Sequence, residues 1–102
     1  MYNSQKTDTA MEKTVYRTTL TLSIIEPGDY VKLGTDEEEY NNTFPTAEEA
    51  IEKAKKLFDE YQVSDTKEVW SIISVWAAVW PVVIDEQGSR TGKRIFNLYK
   101  NQ

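Results

Sequence analysis

The stretch Val69–Val83, VWSIISVWAAVWPVV, constrains the fold more than any other part of the chain. It holds all three tryptophans and carries no charge. β-Branched and aromatic residues dominate it, which favours a strand. The positions Val69, Ile72, Ile73, Trp76, Val79, Trp80 and Val83 also fit a helical stripe, with Asp65 and Glu68 as a cap before it and Pro81 as a stop. Composition decides for strand, and the helical alternative stays open because a short apolar run fits both periods.

As a strand the segment sorts by parity. One side presents Trp70, Ile72, Trp76, Ala78, Trp80 and Val82, and the other presents Val69, Ile73, Val75, Ala77, Val79 and Val83. Both sides are apolar, whereas a sheet with one wet face alternates. Each large apolar side chain left in water forgoes roughly 1.5–3 kcal/mol. The face that a single helix leaves bare therefore asks for a cover: the chain's own polar tail or loops, a second copy, or another protein.

The other elements supply one such helix. Val15–Ile25 alternates Tyr16, Thr18, Leu20, Leu22 and Ile24 with Arg17, Thr19, Thr21 and Ser23, a strand with one buried face. Glu26–Asp29, EPGD, suits a type II turn, and Tyr30–Gly34 a short returning strand. The stretch TDEEEYNNT, with acids at Asp36, Glu37, Glu38 and Glu39, has no period and reads as a loop. Thr46–Tyr61 predicts a helix: Thr46 and Glu49 form a capping box, and Ala47, Ala50, Ile51, Ala54, Leu57, Phe58 and Tyr61 make one apolar stripe. At the end, Gly88 and Gly92 bracket a polar turn, so that Val79–Asp85 and Lys93–Tyr99 form a hairpin.

The order β-(β)-α-β-β specifies an α+β fold. One amphipathic helix packs on an antiparallel sheet of three to four strands, in a single domain over residues 14–102 after a flexible tail at 1–13. A chain with 39% hydrophobic and 28% charged residues is too apolar for wholesale disorder. No apolar run reaches the ~18–20 residues of a membrane span, and the polar start lacks a signal peptide, so a cytoplasmic location is expected.

Cysteine and histidine are both absent. Without them, thiolate and imidazole metal sites and Ser–His or Cys–His nucleophile pairs cannot be built, so no catalytic residue, metal or cofactor is expected. Residues 1–68 hold 15 acidic against 8 basic side chains, and residues 69–102 hold 2 against 4, for a net −5. That balance opposes direct nucleic-acid binding through phosphates. Trp70 to Trp80 also lacks the basic residues that accompany base-stacking aromatics.

Three functions remain. The first is a non-catalytic protein-binding module, a homodimer or the ligand of another protein, that associates through Trp70, Trp76, Trp80, Ile73, Val75 and Val79. The second is an acidic inhibitor, of the kind phages and mobile elements encode, that blocks a basic nucleic-acid-binding surface of another protein with Asp36, Glu37, Glu38 and Glu39; it rests on analogy. The third is a small enzyme working with two carboxylates across a cleft between helix and loop.

Overall fold

The alternating segment Val15–Ile25 lies within β1, Lys13–Ile25, of the computed structural model, which describes residues 12–25, 35–64 and 71–102. The tail up to Met11, the expected turn at 26–29, the expected strand at 30–34, and residues 65–70 with Val69 and Trp70 lie outside the described residues.

The tryptophan segment is a strand, β3, Ser71–Asp85, antiparallel to β1 from Ser71 to Ile84. Leu20 faces Ala77, and Leu22 faces Val75. The register slips between Ser23 and Ile24, where Ile73 is the extra residue on β3. A bulge reverses parity beyond it. Ile72 thus moves from the tryptophan side, where strict alternation put it, to the core side opposite Ile24.

The acidic stretch is not a loop. It forms β2, Thr35–Phe44, an edge strand antiparallel to β1. Only Tyr40, opposite Leu20, and Phe44, opposite Tyr16, pack on the core, so the strand shows no apolar alternation for sequence to reveal. Pairing with β1 overrides the weak strand propensity of Asp, Glu and Asn.

One helix, α1, Ala47–Glu60, covers the sheet. Thr46 caps it in extended conformation: its Oγ1 accepts from the Glu49 amide at 3.2 Å and its hydroxyl donates to Glu49 Oε1 at 3.1 Å. Fully buried Ala50 and Ala54 let the helix approach closely, and with Leu57 they meet Leu20, Leu22, Val75, Ala77 and Val79. The Thr18 hydroxyl donates to the Ala50 carbonyl at 2.7 Å in this dry layer, tying helix to sheet. The last turn of α1 has no basic residue of its own.

The terminal hairpin turns earlier than the glycines suggest. Glu86 and Gln87 form a two-residue turn, Gln87 N donates to Asp85 Oδ1 at 2.9 Å, and Asp85 pairs with Gly88. Gly88 takes φ +130°, a region open to glycine. The returning limb is split into β4, Gly88–Thr91, and β5, Phe96–Asn101, both on the edge of β3 away from β1. Between them Gly92 N donates to Pro81 O at 2.8 Å and Ile95 N to Val79 O at 2.9 Å. A residue's N–H and C=O point to the same side of an antiparallel strand, so the amide that Pro81 lacks would have pointed into this break. That explains a proline inside a central strand.

The architecture is therefore α+β, with one helix on a curled antiparallel sheet ordered β2-β1-β3, followed by β4 and β5 end to end along the far edge of β3. No described helix is long and apolar enough to cross a membrane.

Candidate functional site

The helix occupies one face of the sheet. On the other face, by register, β3 sets Trp76, Ala78, Trp80 and Val82, β1 sets Val15, Arg17, Thr19 and Thr21, and β5 sets Asn97 and Tyr99. This face answers the question raised by the uncharged segment.

Trp76 and Trp80 are four residues apart on a regular strand, which separates their Cα atoms by about 13 Å. Their ring centroids are only 5.7 Å apart, edge to face at 88°. Both indoles therefore lean inward over Ala78, and Ala78 is fully buried although no described helix lies above it. The pair is a roof made by the strand itself. Edge-to-face aromatic contacts of this kind add about 0.5–1.5 kcal/mol beyond burial. The bare face thus needs less outside cover than parity counting implies, because its two largest side chains shelter the smaller ones.

Neighbouring strands bring cations to the tryptophans, which the local sequence does not. Arg17 lies opposite Trp80 in the β1–β3 register. The Arg94 guanidinium, from the break between β4 and β5, lies 5.6 Å from the Trp76 ring centroid. Tyr99 is opposite Trp76 and 57% exposed. Arg17 Nε is buried, and no acceptor among the described residues reaches it. An orphaned buried donor costs roughly 1–3 kcal/mol.

Three of the residues expected at an interface are placed elsewhere. Val75 and Val79 are fully buried beneath α1, because the helix covers their side of β3; they belong to the core and are removed from the candidate surface. Ile73 sits in the bulge, half-buried, its carbonyl accepting from Gln102 N at 3.0 Å. Trp70 lies outside the described residues. Reasoning by sequence proximity missed Arg17, Arg94 and Tyr99. The signal available for Arg17 was its place among the polar positions of β1, the face the helix does not cover.

The acidic residues are all exposed on β2. Asp36 and Glu38 share the face of the tryptophans, opposite Ser23 and Thr21, while Glu37 points to the helix side opposite Leu22 and Glu39 fills a bulge. The Ser23 hydroxyl donates to Asp36 Oδ1, and Asn41 Nδ2 donates to Glu38 Oε1 at 3.1 Å. Charge along an open edge strand also keeps it from pairing with other chains. Among the described residues no three acids, cysteines or histidines converge to hold a metal ion.

Carboxylates border two shallow depressions. Glu12, Asp85 and Glu86 line one of about 250 Å³, and Glu49 and Glu52, with Phe44, Lys53 and Lys56, line another of about 240 Å³. Arg90 bridges Glu12 at 3.5 Å and Asp85 at 3.2 Å across the first.

No protein-family model, curated protein or solved structure matches this chain. The reading of the site therefore rests on its geometry. The face groups two Trp, one Tyr and two Arg within neighbouring strands, and those are the residue types that dominate protein–protein binding energy. Asp36 and Glu38 add negative charge to the face that carries Arg17 and Arg94.

Proposed function

We propose that this chain is a non-catalytic protein-binding module whose contact surface is the helix-free face around Trp76, Trp80, Tyr99, Arg17 and Arg94. The observation that carries the reading is the convergence of these side chains on one face from β1, β3 and the returning limb of the hairpin. Aromatic anchors with a preset geometry lose little side-chain entropy on binding, and the indole pair is already locked edge to face.

The test compares the wild-type chain with Tyr99→Glu, a substitution at an exposed position. Binding partners, the chain itself included, are captured, identified and confirmed in reciprocal pairs. Partners lost on Tyr99→Glu and retained on neutralising Asp36–Glu39 support the reading. Partners that survive Tyr99→Glu at undiminished affinity remove it.

A second reading is favoured by one specific observation. The four acids are all exposed on an extended edge strand, where Asp36 and Glu38 share one face ~6.6 Å apart and Glu37 lies on the other, so the edge is a continuous negative border. That acidic border suits an inhibitor that occupies a basic, nucleic-acid-binding groove on another protein. Its test is the reverse pattern: binding lost when Asp36–Glu39 become Asn and Gln, and indifferent to Tyr99→Glu.

A further inference from the structure

We propose that the occupant of the helix-free face is a second copy of this chain, docked face to face about a two-fold axis that crosses the strands at Ala78 and Thr19, with Arg17 of each copy against Glu38 of the other. The proposal rests on the reading of this face as a contact surface and goes on to name the partner and the register.

An isologous contact must be self-complementary, and the groups nearest the axis meet their own copies. Ala78 and Thr19 are register partners at the centre of the face and are buried, so the axis passes above them and the indole pair over Ala78 meets the indole pair of the other copy. Trp76 and Trp80 flank Ala78 at equal spacing, so rotation about this axis lays Trp76 of one copy over Trp80 of the other. The same rotation carries Arg17, opposite Trp80, onto the position of Thr21, opposite Trp76. Glu38 is the β2 neighbour of Thr21 on this face. Packed sheets lie ~10 Å apart, a gap that an extended Arg and Glu span together. The contact forms twice per dimer.

Charge supports the same partner. A chain of net −5 repels its own copy unless opposite charges meet locally. Here they do, at Arg17 and Glu38. The area sets the strength: four strands of ~4.8 Å and about eight residues of ~3.3 Å give a footprint near 500 Å² per copy. That is below the ~800 Å² of a standard interface, so the dimer is weak, with Kd on the order of 1–100 µM.

Sedimentation velocity on the full chain over about 1–200 µM brackets that range. The expected result is a concentration-dependent monomer–dimer equilibrium. R17E and E38R should each weaken it about tenfold or more, and an equimolar mixture of the two should recover it, because both cross-contacts in the mixed dimer are again of opposite sign. Circular dichroism melts check that the variants fold; if R17E does not, E38R at its exposed edge position carries the test alone, and an unchanged constant overturns the proposal. A strict monomer whose face still captures a different protein overturns the second copy while leaving the surface intact. A dimer indifferent to R17E, E38R and Tyr99→Glu overturns both. A mixture that fails to recover overturns the two-fold register.

Discussion

Lys100 of β5 donates its ammonium to the carbonyl oxygen of Phe58 at 2.8 Å, on the last turn of α1, and stands 4.3 Å from the Phe58 ring centroid. The helix has no cation in its own last turn, and a residue 42 positions away supplies one. The carbonyls at that end have no partner within the helix and carry the negative pole of its dipole. Gln62 Nε2 satisfies a second, Asp59 O, at 2.9 Å.

Lys100→Met keeps the aliphatic stem and removes the charge. It should cost about 1–2 kcal/mol, the sum of a charge-assisted hydrogen bond in a half-buried setting and a dipole contribution. Urea denaturation checks this through a lower midpoint with an unchanged slope.

Thr18→Val preserves volume and deletes the hydrogen bond to Ala50 O. The loss should be near 1 kcal/mol. Thr18→Ala also opens a gap between sheet and helix and should cost about 1 kcal/mol more. The two melting temperatures, measured side by side, separate the hydroxyl from the packing.

The indole pair gives an optical readout. Trp76→Phe should abolish the exciton couplet of the two tryptophans in circular dichroism while the chain stays folded. Ala78→Leu, which fills the space under the roof, should weaken the couplet and shift tryptophan emission to longer wavelength as the rings are pushed into water. Spectra unchanged by Ala78→Leu would show that the rings do not cover it.

Gly92→Ala tests the break in the hairpin. A Cβ at Gly92 would sit 3.0 Å from Pro81 Cγ, and a proline ring cannot swing aside. The substitution should lower stability by about 1 kcal/mol or more and raise hydrogen exchange at the Ile95 amide, which bonds Val79 O in the adjacent rung.

Local chemistry made much of the fold legible. The capping box placed the start of α1 at Thr46, its apolar stripe identified the buried face, and the alternation of Val15–Ile25 identified β1. β2 escaped because an edge strand buries little: two aromatics four residues apart are a thin signal amid four acids. The parity of Ile72 escaped because one bulge, invisible in composition, reverses every position beyond it.

The candidate site was legible only in part. The sequence points to Trp76 and Trp80 but groups Val75 and Val79 with them, because an uncharged run does not say which side the helix takes. By itself the sequence determined the helix, the strand β1 and an α+β class, since each follows from contacts within a few residues along the chain, while the tryptophan run fitted both a strand and a helix. Only the tertiary structure decided which face of β3 is covered, that two indoles fold over Ala78, and that Arg17 and Arg94 join them. Those outcomes depend on register between segments some sixty residues apart, which local periodicity does not encode.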